Sequence, residues 1–266
     1  MMHRACIALL FVAVAAHAQH DHAAPATPVT ATSPHVPPDP PAHLPEPMTP
    51  AQMVSMMQMD DAAAFGSVTF DELEWREHDD AFAWKAMARY GGDYNALVLK
   101  TEGESASDSH SRNELLWDRA VARWWNLQAG IRYDEGAGPS RTWAAIGIEG
   151  LAPWWIDFEA TLYIGDQGRS AVRLEARHDV RFTQRLLLQP LVEMNAYGKD
   201  DLERAVGSGL SDVTAGLRLR YEFNRQFAPY MGVHWNHLFG STADLASAEG
   251  RDKGEVQFVA GLRVWF

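Results

Sequence analysis

From residue 67 to its last residue, Phe266, the chain alternates between apolar and polar side chains. Over residues 255–266, Val256, Phe258, Ala260, Leu262, Val264 and Phe266 form one apolar set, and Glu255, Gln257, Gly261 and Arg263 fall between them. A period of two places the sets on opposite faces of a strand. Similar segments recur at 81–90, 127–133, 155–164, 171–180 and 212–223. In 155–164, Ile156, Phe158, Ala160, Leu162 and Ile164 oppose Asp157, Glu159, Thr161 and Tyr163. In 171–180, Val172, Leu174, Ala176 and Val180 oppose Arg173, Glu175, Arg177 and Asp179.

Alternation alone fits a soluble β-sandwich as well as a membrane barrel. Two features favour the barrel. The segments are about ten residues long, the span of a tilted membrane strand. The connections also alternate in length. Those at 90–94, 124–126, 150–154, 182–184 and 223–229 are short. Those at 102–112, 134–141, 198–211 and 239–254 are longer and rich in Gly, Ser and Asp. The turns near 78–80 and 165–169 are the exceptions. Short turns on one side and long loops on the other are the asymmetry of outer-membrane barrels, with both termini on the short-turn, periplasmic side. Tyr90, Tyr94, Trp124, Trp125, Trp154, Trp155, Phe182, Phe223 and Phe227 gather at the short turns, as an interfacial girdle would. The fold expected is therefore all-β: a transmembrane antiparallel up-and-down β-barrel of about twelve strands, over residues 65–266. A strand ending on an aromatic residue with a free carboxylate suits the last stave. No stretch is long and apolar enough for a membrane helix. The mean hydropathy of −0.26 does not oppose the barrel, because every second residue faces the lumen. A Pro190 inside the strand near residue 190 points to a bulge there, which leaves the facing of Met194 open.

Ahead of the barrel the texture differs. Arg4, the apolar run 7–16 and Ala16-His17-Ala18 read as a signal peptide over residues 1–18. The lone cysteine, Cys6, lies inside it. Residues 19–64 form a Pro/His/Met-rich segment. Its first thirty or so residues hold ten prolines and too little apolar surface to offset the entropy of ordering, so disorder is expected. Around 48–59 methionines crowd together, and Thr49 followed by Pro50 can cap and start a short helix. The net charge of −12 argues against nucleic-acid binding.

The methionines carry the sharpest chemistry. Thioether sulfur is a soft ligand that selects Cu(I) over hard cations, and Met53, Met56, Met57 and Met59 lie close enough in sequence to converge on one ion, with Met48 a further candidate ligand. The alternative is a helix packed through its methionines, but the flanking tail offers no core. His20 and His22, beside the expected new amino terminus, suit Cu(II), Ni(II) or Zn(II); a solvated linker is the competing reading. Without cysteines in the mature chain a closed zinc site is not expected. Inside the barrel, Met87 shares its face with Lys85 and Arg89, and His234 with Asn236. The charged side chains there, among them Glu72, Glu74, Lys100, Glu102, Glu114, Asp118, Arg132, Arg173, Glu175, Glu193 and Arg218, read chiefly as lumen-filling ion pairs. No Gly-x-Ser-x-Gly elbow or local Ser/His constellation points to a hydrolase, and the glycine pairs read as turns.

The stretches Phe70-Asp-Glu-Leu-Glu-Trp-Arg76, Gln128-Ala-Gly-Ile-Arg-Tyr-Asp134, Ile146-Gly-Ile-Glu-Gly-Leu-Ala-Pro153, Gly216-Leu-Arg-Leu-Arg-Tyr-Glu222 and Val259-Ala-Gly-Leu-Arg-Val-Trp-Phe266 resemble the copper resistance protein B family of outer-membrane proteins. The resemblance spans nearly all of the chain from residue 67 onward. It implies a periplasmic Met/His-rich segment ahead of a membrane barrel, no enzymatic activity, and copper ions handled as cargo. Outer-membrane lipid is then a partner, and a periplasmic copper oxidase or copper chaperone an expected one. The methionine cluster is shorter than in many family members, which favours recruitment of copper over bulk storage. The other expectations weighed are a passive pore or structural barrel with a tethering tail, and a barrel hydrolase.

Overall fold

The computed structural model describes residues 49, 52, 53, 56, 63–77, 81–105, 109–136 and 138–266. The chain divides into two units, residues 1–57 and 58–266.

In the second unit the alternating segments become strands: β1 (Phe65–Arg76), β2 (Ala81–Gly91), β3 (Asn95–Ser105), β4 (His110–Ala122), β5 (Trp125–Gly136), β6 (Arg141–Ala152), β7 (Ile156–Gly165), β8 (Ser170–His178), β9 (Val180–Arg181), β10 (Leu186–Tyr197), β11 (Gly209–Tyr221), β12 (Phe227–Leu238) and β13 (Gly254–Trp265). Each pairs antiparallel with its neighbours. β13 returns to β1, and β8 with its two-residue continuation β9 pairs with β10. The result is a closed barrel of twelve staves. Closure leaves no unpaired edge, which a membrane requires. At the seam, Val68 and Phe266 exchange backbone hydrogen bonds of 3.0 and 2.8 Å.

The two faces separate as their parity dictates. Leu97, Leu99, Ile131, Ile146, Ile164, Leu217, Leu219, Val256 and Phe258 stand exposed on the outside. So large a contiguous apolar surface on a single chain marks a lipid-facing belt. Their alternating neighbours, including Glu74, Glu114, Asp118, Arg132, Tyr163, Arg173 and Arg218, are buried inside. The aromatic residues of the short turns are exposed at one end of the belt: Tyr90, Tyr94, Trp124, Trp154, Trp155, Phe182 and Phe223. Trp124 and Trp155 meet edge to face at 6.3 Å, a favoured aromatic geometry.

One local expectation is corrected. β10 runs through Pro190 without a bulge there, pairing it with Leu217 in regular register. The irregularity lies on the other neighbour, where the ladder breaks between Leu191↔Arg177 and Leu188↔Val180. Proline has no N–H to donate, so it is the facing strand that lets go, at Asp179. The Gln189 side chain fills the gap, donating to Asp179 Oδ1 at 2.7 Å. β10 shifts register further on, between Asn195 and Ala196. Glu193 thus faces inward and Met194 outward, where it is exposed.

The long connections carry structure of their own. A helix, α1 (Gly240–Ala248), follows β12. Thr242, Ala243 and Ala246 are its buried residues, and the Thr242 hydroxyl accepts from the Gly207 N–H at 2.9 Å. In the β10–β11 connection, Asp201 and Val206 form a small bridge. Arg141, at the start of β6, reaches Asp201 through two hydrogen bonds of 2.8 and 3.0 Å and Glu203 through one of 2.7 Å. This connection is thereby folded over part of the barrel mouth.

Candidate functional site

The inward faces of the staves form the interior of the barrel, and charge dominates it. Lys85 on β2 and Glu175 on β8 stand on opposite sides of the ring, yet Nζ and Oε2 lie 2.6 Å apart. Arg173 on β8 reaches Glu102 on β3 at 3.0 Å, Glu175 at 3.0 Å and Glu193 on β10 at 2.8 Å. Lys100 on β3 holds Glu149 at 3.0 Å and Glu159 at 2.8 Å, from β6 and β7. Arg218 on β11 holds Glu72 and Glu74 on β1, both at 2.9 Å. Glu74 is 0% exposed and also accepts from the Tyr230 hydroxyl at 3.2 Å. These pairs join staves across the lumen instead of lining it in parallel.

An apolar cluster completes the filling. Val98, Leu116, Trp143, Ala145, Tyr163 and Ala171 pack together, with Met87 and Tyr197 against them. The Tyr163 hydroxyl donates to Glu114 at 2.7 Å, and the Arg132 guanidinium lies 4.4 Å from the Tyr163 ring centre. Inward glycines make room for inward rings. A side chain at Gly165 would meet the Trp143 ring at 2.7 Å, and one at Gly261 the Tyr230 hydroxyl at 2.6 Å and its ring at 2.7 Å.

What remains open is divided. A chamber of 460 Å³ lies toward the long-loop end, with Glu72, Arg76, Glu193, Asp212, His234 and Glu255 in its wall. Another of 290 Å³, bounded by Glu149, Leu151, Asp157, Glu159, Glu175 and Arg177, lies toward the short turns. Between them a void of 50 Å³ touches Lys85, Glu102 and Arg112 on one side and Glu149, Glu159 and Glu175 on the other. The cross-lumen pairs thus close the passage at mid-height. Among the described residues, no three His, Cys, Asp or Glu side chains are grouped to hold a metal ion. The physical reason is visible: Glu102, Glu159, Glu175 and Glu193 are already engaged by arginine and lysine.

The sequence-based candidates fall in separate places. Met53 and Met56 are helical and exposed, at 40% and 71%. The turn that carries them is capped reciprocally: Thr49 N–H donates to Gln52 Oε1 at 2.9 Å, and Gln52 N–H donates to Thr49 Oγ1 at 3.3 Å. That is a capping box. Met48, Met57, Met59, His20 and His22 lie outside the described residues. Met87 faces the lumen, in contact with the apolar cluster and at the edge of the small void. His234 lines the 460 Å³ chamber with Asn236, and its buried Nδ1 makes no hydrogen bond among the described residues. Met87 and His234 therefore border different spaces. Arg112, which contacts Glu102 at 2.7 Å, was missed in the sequence. The signal was available, because Arg112 shares parity with the inward Glu114 and Asp118. The Arg141–Asp201 contact carries no periodic signal that would have revealed it.

Comparison with known proteins gives consistent matches. The family model described as copper resistance protein B precursor matches residues 64–266. Copper resistance protein B of Escherichia coli is 45% identical over 210 residues, covering 77% of this chain and 71% of the relative. The copper resistance protein B homolog of Pseudomonas syringae pv. tomato is 45% identical over 213 residues, 79% of this chain and 72% of the relative. Among solved structures, the NanC porin matches with a TM-score of 0.49 at 12% identity, over 75% of this chain and 99% of the porin. The KdgM porin matches with a TM-score of 0.45 at 11% identity, over 75% of this chain and 99% of its own.

Proposed function

This chain belongs to the copper resistance protein B family, and from that premise we propose that it captures copper on the periplasmic side of the outer membrane and sequesters or exports it. Capture falls to the Met/His segment. Met53, Met56, Met57 and Met59, with Met48 beside them, offer soft thioethers to Cu(I), and His20 and His22 offer imidazoles to Cu(II). The observation that carries this reading is a contrast of availability. Met53 and Met56 stand exposed on a capped turn, whereas the mid-lumen carboxylates Glu159, Glu175 and Glu193 are committed to cations of the barrel itself.

The barrel holds this segment at the membrane and supplies the route outward. Met87 and the unpaired His234 Nδ1 are weaker sites along that route. Weak successive sites suit permeation, because a tight one blocks release. Passage requires the mid-height ion pairs to separate. Copper is cargo here, exchanged with a periplasmic copper chaperone or oxidase, and the protein performs no chemistry on it.

The test is Cu(I) titration of the mature protein in a competing chelator, with Met53, Met56, Met57 and Met59 changed together to leucine. Leucine keeps the apolar volume and removes the sulfur. The expected outcome is loss of the highest-affinity Cu(I) site with an unchanged barrel. Unaltered stoichiometry and affinity would remove the segment from the mechanism.

A further inference from the structure

The long-loop mouth contains two chambers of opposite character. The 460 Å³ chamber has more carboxylates than cations in its wall. A second, of 250 Å³, lies beneath the β10–β11 connection, lined by Arg112, Arg132, Arg169, Lys199 and Arg204 and by the carboxylates of Asp134 and Asp201; Arg112 pairs outside the lining with Glu102 at 2.7 Å and Arg169 with Asp166 at 2.8 Å. In a chain of net charge −12 the two cations that remain without a paired carboxylate in this wall, Lys199 and Arg204, run against the trend of the whole molecule.

Both carboxylates are already satisfied. Asp134 accepts two hydrogen bonds from Arg132, at 2.7 and 2.9 Å, and one from the Trp143 indole at 3.0 Å. Asp201 is taken by the two-pronged contact from Arg141. Lys199 and Arg204 are left with neutral partners: they donate to the backbone carbonyls of Gln167 and Pro139, at 3.3 and 2.8 Å. A carbonyl satisfies a donor without cancelling its charge. Arg169 Nε is buried 3.3 Å from Asp201, yet makes no hydrogen bond among the described residues. Trp143 and Tyr197, with ring centres 6.5 Å apart, supply an aromatic wall.

We propose that this chamber binds a small oxyanion, bearing phosphate or carboxylate oxygens, that enters from the long-loop end. Guanidinium groups match such oxygens two at a time, and lysine adds a mobile point charge. Arg132, Asp134 and Trp143 are buried on the lumen faces of their strands, so the ligand is a free anion from solution and not a headgroup of the surrounding lipid. The inference does not depend on how copper is captured.

Calorimetric titration of the full chain, folded in a phosphate-free non-ionic detergent, tests it with inorganic phosphate and with citrate as probes. The expected result is one saturable site per chain for which the two anions compete, weakened by added salt. Lys199→Gln combined with Arg204→Gln is expected to weaken binding about a hundredfold, roughly tenfold for each charge-assisted hydrogen bond removed. Arg251→Gln with Lys253→Gln removes two exposed cations of the neighbouring connection, paired with Glu249 and Asp244, and is expected to leave binding unchanged. Heat-modifiable gel migration verifies the fold of each variant. The proposal fails if the unaltered protein shows no saturable heat with either anion. It fails equally if the folded Lys199/Arg204 variant binds as the unaltered protein does, or if both double variants lose binding to the same degree.

Discussion

Arg173 holds three carboxylates from three strands, Glu102 on β3, Glu175 on β8 and Glu193 on β10, while only 3% exposed itself. A charge in such a place is neutral in its effect only while its partners are present. Arg173→Leu would leave three carboxylates crowded together with Lys85, Arg112 and Arg177 as their remaining cations. Breaking a buried pair from one side costs about 3–5 kcal/mol. The expected outcome is a loss of that order in guanidinium unfolding of the detergent-folded barrel, without loss of the strand signal at neutral pH. A stability within about 0.5 kcal/mol of the original, the range of ordinary surface changes, would mean that water compensates the carboxylates. At this scale the sequence is legible by parity and no further. It places Arg173, Glu175, Lys85 and Glu193 in the lumen. It cannot pair Lys85 with Glu175, ninety positions away, because that contact exists only once the ring has closed with its particular stagger.

Among the elements, the strands were readable because each buries one face in lipid and one in the lumen, and this writes a period of two. The connections have no such constraint. α1 spans Gly240–Ala248 with small residues turned to its support, Thr242, Ala243 and Ala246, and small residues leave no apolar stripe to read. The β10–β11 connection is held by charge instead of apolar surface, so its hold depends on pH. Hydrogen bonds from Arg141 keep the Asp201 carboxyl below its usual range, against a smaller opposing push from burial. A carboxyl lowered by folding adds stability at pH above its unfolded value, near 3.9, and loses it as pH falls through the folded value. The latch is therefore complete at neutral pH and opens only in acid. Asp201→Asn is expected to open it at neutral pH. Charge-assisted hydrogen bonds contribute about 1.5–3 kcal/mol, so amide exchange over residues 198–208 should rise roughly tenfold or more. Exchange that is equally slow in Asp201→Asn and in the original protein would assign the hold to the Asp201–Val206 bridge and the neutral contacts of Lys199, Arg204 and Gly207.

For the whole molecule, the decisive property is that a barrel wide enough for a lumen spends that lumen on its own side chains. Twelve staves give an interior that side chains can fill only by reaching far across it, and long charged residues do so here. Lys85 and Glu175 meet from opposite sides, and between the chambers above and below them lies a void of only 50 Å³. A hydrated ion therefore meets a barrier at mid-height, and the unaltered protein in a planar bilayer is expected to conduct little. Removing one partner would confuse the experiment, since an uncompensated buried charge destabilises the barrel. Removing both keeps the balance. Lys85→Ser with Glu175→Ser deletes the bridge, and leaves Arg173 engaged with Glu102 and Glu193 and Arg177 within 3.6 Å of Asp71. The expected result is a clear rise in single-channel conductance with little change in unfolding midpoint, while Glu249→Gln with Arg251→Gln, an exposed pair on the outer connection, changes neither. If the Lys85/Glu175 variant conducts no better than the original, the barrier lies in the cross-lumen pairs that remain, Arg173–Glu102 and Lys100–Glu159, together with the apolar cluster around Tyr163 and Trp143.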